Sequence, residues 1–267
     1  LHQRAADDLA ERLEAIPRPF PRALALGGGG LFGEAVRARP ELATRVAHLI
    51  EADLAGGDAH IDPEALPFAE QSFDLIASPL ALHSMNDLPG ALIQIRRALK
   101  PDGLVLAALF GGATLNELRL SLIEAESELT GGAGPRVAPF ADLQDLTHLM
   151  QRAGFALPAG DRDVVTVRYR APMQLLADLR AMGETAALRE RSPRGLSRRV
   201  LARAFEIYTD RFAEPDGRVR ATFEIITLTG WAPHESQPKP LKPGSAKARL
   251  ADALGVKERG AGDKAGS

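Results

Sequence analysis

The sequence contains no cysteine, which excludes disulfide bonds, thiolate catalysis and cysteine-ligated metal sites. Aromatic residues make up 5% of the 267 residues, too few for a surface on which nucleic-acid bases stack. The formal net charge of −2 provides no global field that would attract nucleic acid or an anionic membrane. Apolar runs all stay short of the roughly 18 residues that a membrane-spanning helix needs. We therefore expect neither nucleic acid as a partner nor a membrane span.

The rest of the composition, 45% hydrophobic and 25% charged residues, is typical of a globular protein. The six histidines do not pair at the spacing of metal ligands, so we predict no metal site. From Pro233 onward proline, lysine, glycine and alanine dominate, and we predict that residues 233–267 form a disordered, mildly basic tail. The chain begins with Leu1 rather than methionine, so we expect that a further segment can precede it.

Strand-like and helical patterns alternate in the first half of the chain. Short apolar runs predict buried strands at 23–26, 46–50, 73–82 and 104–110. Helical spacing of apolar residues predicts helices at 2–15, 31–39 and 88–99, with a turn at 100–103. Such alternation is typical of a parallel sheet. The pattern then predicts helices at 115–129, 140–153, 173–182 and 197–208, and strands at 164–169 and 221–231.

A run of four glycines, Gly27–Gly30, follows the first predicted strand directly. Glycine lets backbone N–H groups approach a ligand closely, because a Cβ would block that approach. The run therefore predicts a cofactor loop at Gly27–Gly30. A plain tight turn between strand and helix is the alternative.

Two acids have the order expected of a nucleoside site. Asp53 ends the second predicted strand, where an acid binds ribose hydroxyls, and Glu51 is its alternate. Asp62 is suited to the amino group of adenine. The alternatives are solvent exposure for Asp53 and a turn or a helix cap for Asp62.

Segments around and beyond these acids resemble the class I S-adenosylmethionine-dependent methyltransferases. They are similar to the branch of arginine-hydroxylase assembly factors of respiratory complex I, and to the malonyl-carrier methyltransferases of the biotin pathway. The segments that carry the resemblance are 62–68, 72–75, 78–83, 86–89, 99–103, 110–119, 152–155, 182–184 and 230–231.

The resemblance implies an α/β, Rossmann-like fold: a mostly parallel sheet with an antiparallel C-terminal strand and helices on both faces. Residues 1–232 would form the methyltransferase-like domain, with a cofactor half at about 20–112 and a helical cover plus the last strands at 113–232. A complex I subunit is the implied partner, in the bacterial cytoplasm or, in a eukaryote, the mitochondrial matrix. S-adenosylmethionine is the implied cofactor, and its implied ligands are Leu26, Gly27, Gly28, Gly29, Asp53, Asp62, Pro63 and Ser78.

The cofactor half departs from the family pattern in three places. Ala25 stands where the family has an acid, and Leu31 replaces the third loop glycine. Asp53 and Asp62 are only nine positions apart, whereas a crossover between parallel strands needs roughly a dozen residues. We therefore expect a very short strand or a lost element here, an open adenosine site and weakened binding of S-adenosylmethionine.

His83 and Asn86 are the candidate catalytic residues, because they follow a strand whose carboxyl end faces the site. His83 could act as a base or position a substrate, and a hydrogen-bonded structural histidine is the alternative. Asn86 and Asp87 could instead cap the helix that starts near Pro89. Acids on the 115–129 helix could meet a basic substrate, with a solvated face as the alternative.

Three functions remain open. The first is an enzyme that acts on a protein or small-molecule substrate, including a biotin-type carboxyl methyltransferase. The second is a non-enzymatic assembly factor that keeps the fold. The third, a nicotinamide dehydrogenase, is disfavoured by the segment from Leu66 to Asp74.

Overall fold

Seven strands and eight α-helices form in residues 1–185 and 195–238, the part of the chain that the computed structural model of the protein describes. The strands are β1 (Arg22–Leu26), β2 (His48–Asp53), β3 (Ala59–His60), β4 (Phe73–Pro79), β5 (Leu99–Phe110), β6 (Ala156–Tyr169) and β7 (Val219–Trp231). The helices are α1 (His2–Glu14), α2 (Leu31–Arg37), α3 (Pro40–Arg45), α4 (Leu88–Ala98), α5 (Asn116–Thr130), α6 (Leu143–Arg152), α7 (Pro172–Ala181) and α8 (Arg198–Phe212).

The strands form a single sheet in the order β3-β2-β1-β4-β5-β7-β6. Neighbours from β3 to β5 pair in parallel, whereas β7 pairs antiparallel with both β5 and β6. This confirms the expected mostly parallel sheet with an antiparallel C-terminal strand. The carboxyl ends of β1, β2 and β4 consequently meet at one edge, where such sheets place their ligands.

Each face of the sheet carries its own apolar core, because side chains alternate along a strand. On β1, Ala23 and Ala25 belong to one core, and Leu24 and Leu26 belong to the other. The first core is closed by α1, α2, α3, α5, α7 and α8, and the second by α4 and α6. Helices therefore cover both faces, as expected.

Several predicted bounds were wrong. The strand predicted at 46–50 runs from His48 to Asp53, and the helix predicted at 31–39 stops at Arg37. A separate helix, α3, begins at Pro40, because proline at the first helical position is favourable. The strand predicted at 164–169 begins at Ala156, in a stretch so exposed that it carries little apolar alternation.

The turn predicted at 100–103 lies inside β5 as an irregularity of the strand. Phe73 pairs with Leu99 and Leu75 with Leu104, so the extra residues of β5 bulge out between these two pairs. Asp102 has a left-handed φ of 61°, and its backbone N–H donates to Ala232. The turn-forming residues therefore shape a bulge within the strand.

The helix expected between β2 and β3 in the family plan is absent from this chain. Residues 54–58 alone connect Asp53 to β3, and β3 has two residues. The backbone and the side chain of Asp58 both bond to the backbone of Glu51. The Asp58 N–H donates to Glu51 O at 2.7 Å, and Asp58 Oδ2 accepts from the Glu51 N–H at 3.0 Å. The short spacing between the two acids thus produces a minimal strand without its helix.

In the part of the chain that the structure describes, no helix is long and apolar enough to cross a membrane. Residues 1–234 form one compact unit. The predicted disordered tail lies, from residue 239 on, outside the described residues.

We predict that Leu13→Ala lowers the free energy of unfolding by about 2–5 kcal/mol, because Leu13 of α1 is fully buried against the sheet. Glu11→Ala, on the exposed face of the same helix, should change it by less than about 0.5 kcal/mol. Urea unfolding followed by circular dichroism measures both. Equal effects of the two changes would show that α1 does not pack as described.

Candidate functional site

The glycine run forms a left-handed loop at the carboxyl end of β1. Gly27, Gly28, Gly29 and Gly30 have φ angles of 76°, 78°, 59° and 86°, which side chains with a Cβ rarely adopt. Gly27 N–H donates to Ala52 O of β2 at 2.8 Å, and Gly30 is the N-cap residue of α2. The predicted loop is thus a true strand-to-helix connection that only glycine fits well.

The loop packs directly on the segment that follows β4. A Cβ on Gly27 would overlap the Ala81 side chain, and a Cβ on Gly28 would overlap Pro79. The chain reaches this position through Leu80, which has a left-handed φ of 50° and donates its N–H to Ala108 O. The first two glycines are therefore required for packing as well as for backbone shape, a reason that their sequence pattern did not disclose.

Asp53 lies beside this loop with its carboxylate fixed by two backbone amides. Its Oδ2 accepts from Gly29 N–H at 3.2 Å, and its Oδ1 accepts from Leu54 N–H at 2.7 Å. A carboxylate has about four acceptor positions, so each oxygen keeps a lone pair for a further donor. Leu54 beside it is 68% exposed, an apolar surface at the same edge.

Glu51, the alternate to Asp53, supports α2 instead of facing the same edge. A Cβ on Gly33 would overlap its carboxylate, and Arg37 of α2 donates to its Oε1 at 3.3 Å. Gly33 was not singled out in the sequence. The close approach of Glu51 explains why glycine stands at this helical position.

Asp62 begins an exposed turn, as its alternative interpretation stated. Its Oδ1 accepts from Glu64 N–H at 2.9 Å, and Pro63 lies between them. Glu64 Oε1 in turn accepts from the backbone N–H groups of Asn86 and Asp87. Asn86 therefore contacts the Asp62 segment, while Asp87 caps α4 by accepting from Gly90 N–H.

Ser78 lies at the centre of the edge and is fully buried. Its hydroxyl donates to the backbone oxygen of Leu26 at 2.8 Å, on the neighbouring strand β1. The hydroxyl proton of Ser78 is thus engaged in holding β4 to the start of the glycine loop.

His83 follows β4 in a short 3₁₀ helix, Leu82–Ser84, and its side chain is only 5% exposed. Its Nε2 lies 3.2 Å from Glu184 Oε2. The rings of Phe110 and Phe140 lie 4.7 Å and 5.7 Å from the imidazole, between centroids. The imidazole of His83 is therefore buried next to two phenylalanine rings and one carboxylate.

Glu184 joins His83 to the N-terminal helix. Its Oε1 lies 3.2 Å from His2 Nε2, and its side chain is 20% exposed. Burial by itself would raise the pKa of Glu184, but the hydrogen bonds from His2 and His83 outweigh it and lower the pKa to about 2. The segment around Glu184 was part of the family resemblance, but nothing local in the sequence indicated that it would meet two histidines.

Helix α5 and the loop after it form the wall next to His83. A cleft of about 350 Å³ is lined by Arg119, Ile123, Gly134, Pro135, Arg136, Val137, Pro139 and Phe140. Phe140 belongs both to this cleft and to the aromatic surroundings of His83. The cleft and the histidine therefore share a wall.

The acids of α5 do not form a free acidic face. Glu126 is buried and pairs with Arg136 at 2.5 Å, and Glu117 is buried against Thr222. Glu124 and Glu128 pair with arginines of α8. Glu117 and Glu126 are buried, so neither of the two predicted roles, a docking face or a solvated face, describes them.

Among residues 1–185 and 195–238, no group of three or more histidine, aspartate or glutamate residues is arranged to hold a metal ion. The carboxyl edge of the sheet therefore brings together a left-handed glycine loop and the oriented carboxylate of Asp53, and the segment after β4 adds a buried histidine next to the carboxylate of Glu184.

Comparison with known proteins identifies relatives over most of the chain. The family model described as "Methyltransferase domain" matches residues 36–107. The mitochondrial arginine-hydroxylase NDUFAF5 of Danio rerio is 38% identical over 94% of this chain and 81% of its own length. A malonyl-[acyl-carrier protein] O-methyltransferase of Halorhodospira halophila is 36% identical over 86% of this chain and 81% of its own length. The solved YcgJ protein of Bacillus subtilis shares the fold, with a TM-score of 0.55 and 15% identity over 85% of this chain and 98% of its own.

We predict that Gly28→Ala destabilises the protein more than Gly29→Ala. Both residues have left-handed backbones, which cost about 1 kcal/mol with alanine, but only the Gly28 substitution also drives a Cβ into Pro79. A Cβ on Gly29 would meet nothing within 4 Å. Thermal unfolding by calorimetry compares the two variants, and equal destabilisation would contradict the packing of the loop on the segment after β4.

We also predict a contribution of Glu184 to stability at low pH. Because its folded pKa is depressed to about 2 from an ordinary 4.5, its stabilisation is present above pH 4.5 and is lost as the pH falls towards 2. Between about pH 6 and about pH 3 the wild-type protein should lose roughly 2 kcal/mol more than Glu184→Gln, at about 1.4 kcal/mol per pH unit below 4.5. Urea unfolding at the two pH values measures the difference, and identical pH slopes would contradict the buried, ionised carboxylate.

Proposed function

We propose a function for this chain from its family: it belongs to the class I S-adenosylmethionine-dependent methyltransferases, in the group that contains the arginine hydroxylases it resembles. We infer that it binds S-adenosylmethionine where β1 and β2 end and modifies a protein substrate. The observation that carries this is the Asp53 carboxylate, oriented by two backbone amides beside four left-handed glycines.

The residues at this edge suit the parts of S-adenosylmethionine. Asp53 keeps lone pairs that can accept from the two ribose hydroxyls. Exposed Leu54 provides an apolar surface for the adenine ring, and exposed Asp62 with Pro63 lies beyond β3 on the same side. When bound, S-adenosylmethionine supplies an electrophilic methyl group. The protein's own part is to hold the nucleoside with Asp53, beside the glycine loop.

The missing helix weakens this site without removing it. In the absence of a helix between β2 and β3, one side of the adenine position is formed by residues 54–58 alone. Less of the adenine is then buried, and buried apolar area contributes roughly 25 cal/mol per Å². We therefore expect real but weakened affinity for the cofactor, as the spacing of the two acids indicated.

The proposed substrate is an arginine side chain of a respiratory complex I subunit. The relatives named arginine hydroxylases support arginine, and the family supports a role in assembly of the complex. The cleft of about 350 Å³ that Phe140 helps to line is large enough for one long side chain. In a eukaryote the proposed place of action is the mitochondrial matrix, and in a bacterium it is the cytoplasm.

A non-enzymatic assembly factor is the second candidate function. The observation that favours it is the lost helix, because an open adenine site would bind the cofactor too weakly to be used. Methylation of a malonyl group on a carrier protein is the corresponding small-substrate alternative, favoured by the methyltransferase relative that is 36% identical.

We predict that S-adenosylmethionine binds with a dissociation constant weaker than micromolar, and that Asp53→Ala weakens it further by about ten- to a hundredfold. Losing hydrogen bonds to a charged group costs about 1.5–3 kcal/mol, and each 1.4 kcal/mol is tenfold. Isothermal titration calorimetry measures both constants, with Glu41→Ala on exposed α3 as the matched control. Unchanged affinity in Asp53→Ala would refute the proposed site, and micromolar binding would refute the weakening.

Mass spectrometry of the substrate separates the candidate functions. The protein is incubated with S-adenosylmethionine and a complex I subunit that carries the candidate arginine. The proposal expects the added mass of a methyl group on that arginine, and loss of the addition with Asp53→Ala. An added oxygen atom would contradict methyl transfer while keeping arginine as the target. An unmodified subunit that co-purifies with the protein would favour the assembly factor without activity.

A further inference from the structure

The His83–Glu184 contact determines which imidazole nitrogen carries the proton. The pKa of Glu184 lies well below its ordinary value, so at neutral pH its carboxylate is ionised and can only accept hydrogen bonds. His83 Nε2, 3.2 Å from Glu184 Oε2, must then be the protonated nitrogen that donates. In the neutral ring Nδ1 is left as an acceptor with a free lone pair.

Nδ1 of His83 receives no hydrogen bond from the described part of the protein. His83 Nδ1 is buried and has no hydrogen-bond partner in the part of the chain that the structure describes. A buried polar atom without a partner costs about 1–3 kcal/mol, and native proteins keep few of them. His83 lies after β4 at the ligand-binding edge of the sheet, so a ligand that donates a proton is the simplest explanation.

The surroundings of His83 favour a flat, cationic donor. Two phenylalanine rings, Phe110 and Phe140, approach the imidazole, and Glu184 carries a negative charge next to it. Guanidinium groups stack on aromatic faces and donate several N–H groups in one plane. Phe140 also lines the cleft described above, so the cleft and His83 share this ring.

We propose that His83 is a substrate-binding residue whose Nδ1 accepts a hydrogen bond from an N–H group of a guanidinium side chain, and that Glu184 is the positioning residue that binds Nε2–H and so leaves Nδ1 as the acceptor of the neutral ring. His2 serves the same end, because it bonds to the other oxygen of Glu184 and fixes the carboxylate from the side of α1. The identity of the substrate rests on the proposed function. The assignment of Nε2 as the nitrogen that donates to Glu184 does not.

Nitrogen NMR tests the protonation state directly. In the uniformly ¹⁵N-labelled protein, a long-range ¹H–¹⁵N correlation spectrum should show His83 protonated at Nε2 and unprotonated at Nδ1. Adding N-acetyl-arginine amide should move the Nδ1 resonance, whereas the norleucine analogue, which has no guanidinium, should leave it in place. A ring protonated at Nδ1, or a Nδ1 resonance that arginine does not move, would overturn the proposal.

Glu184→Gln tests the positioning role, since a neutral amide no longer enforces one tautomer. The variant should show a mixture of both neutral tautomers at His83, and Glu128→Gln, which removes a surface pair with Arg203, should show the wild-type pattern. An unchanged tautomer in Glu184→Gln would mean that Glu184 does not position the ring.

Two substitutions at His83 separate its nitrogens. Asparagine can place an acceptor oxygen near the Nδ1 position, whereas glutamine can place an amide donor near the Nε2 position and keep the bond to Glu184. We expect His83→Gln to weaken binding of an arginine-containing subunit peptide by about ten- to a hundredfold, and His83→Asn to weaken it clearly less. Equal losses would indicate a merely structural histidine, and equal retention or the reverse order would also contradict the proposal.

Measuring cofactor binding separates a failure of the proposed function from a failure of the proposal on His83. S-adenosylmethionine affinity is measured for the wild type and both His83 variants, and thermal unfolding confirms that each is folded. Absent cofactor binding in the wild type would refute the proposed function and leave the nitrogen spectra as evidence on His83. Intact cofactor binding with a wrong tautomer or a wrong order of the variants would refute the inference alone.

Discussion

The buried carboxylate of Glu184 is the point at which three distant parts of the chain meet. His2 in α1 bonds to one oxygen and His83 after β4 bonds to the other, while Glu184 itself follows α7. Taking a carboxylate out of water is unfavourable unless hydrogen bonds replace its hydration. Glu184 therefore stabilises the arrangement in which α1, the end of β4 and the cover converge. This contact also fixes the orientation of the His83 ring between Phe110 and Phe140.

A second constraint is the length of chain between the two acids of the nucleoside site. Because residues 54–58 cannot form a crossover helix, Asp58 pairs with the backbone of Glu51 and holds a two-residue β3 in place. This short connection leaves Asp53 beside the glycine loop but leaves the side chain of Leu54 exposed. The proposed site thus keeps an oriented carboxylate beside the glycine loop, while no helix covers Leu54. This combination is consistent with a site that binds the cofactor weakly. It is also consistent with a non-enzymatic assembly factor that has lost the use of the cofactor.

Local patterns in the sequence predicted the elements whose burial is regular. The buried strands β1 and β7 and the amphipathic helices α1 and α4 lie close to their predicted bounds, since their apolar residues indicate the element, whereas β4 ends at Pro79, three residues before its predicted end. The exposed first half of β6 and the helix α3 lack such a signal. The glycine loop and Asp53 were predictable from order along the chain. The contacts of Glu184 were not, because its partners lie 182 and 101 residues away and no local pattern encodes them.

The central claim is that Asp53 and the glycine loop still form a nucleoside site despite the lost helix. A crystal structure of the protein with S-adenosylhomocysteine tests it most directly. The account predicts both ribose hydroxyls within hydrogen-bond distance of the Asp53 carboxylate, with the adenine ring covering Leu54 and one of its faces open to solvent. Adenosine bound elsewhere on the protein, with Leu54 still exposed, would contradict the account.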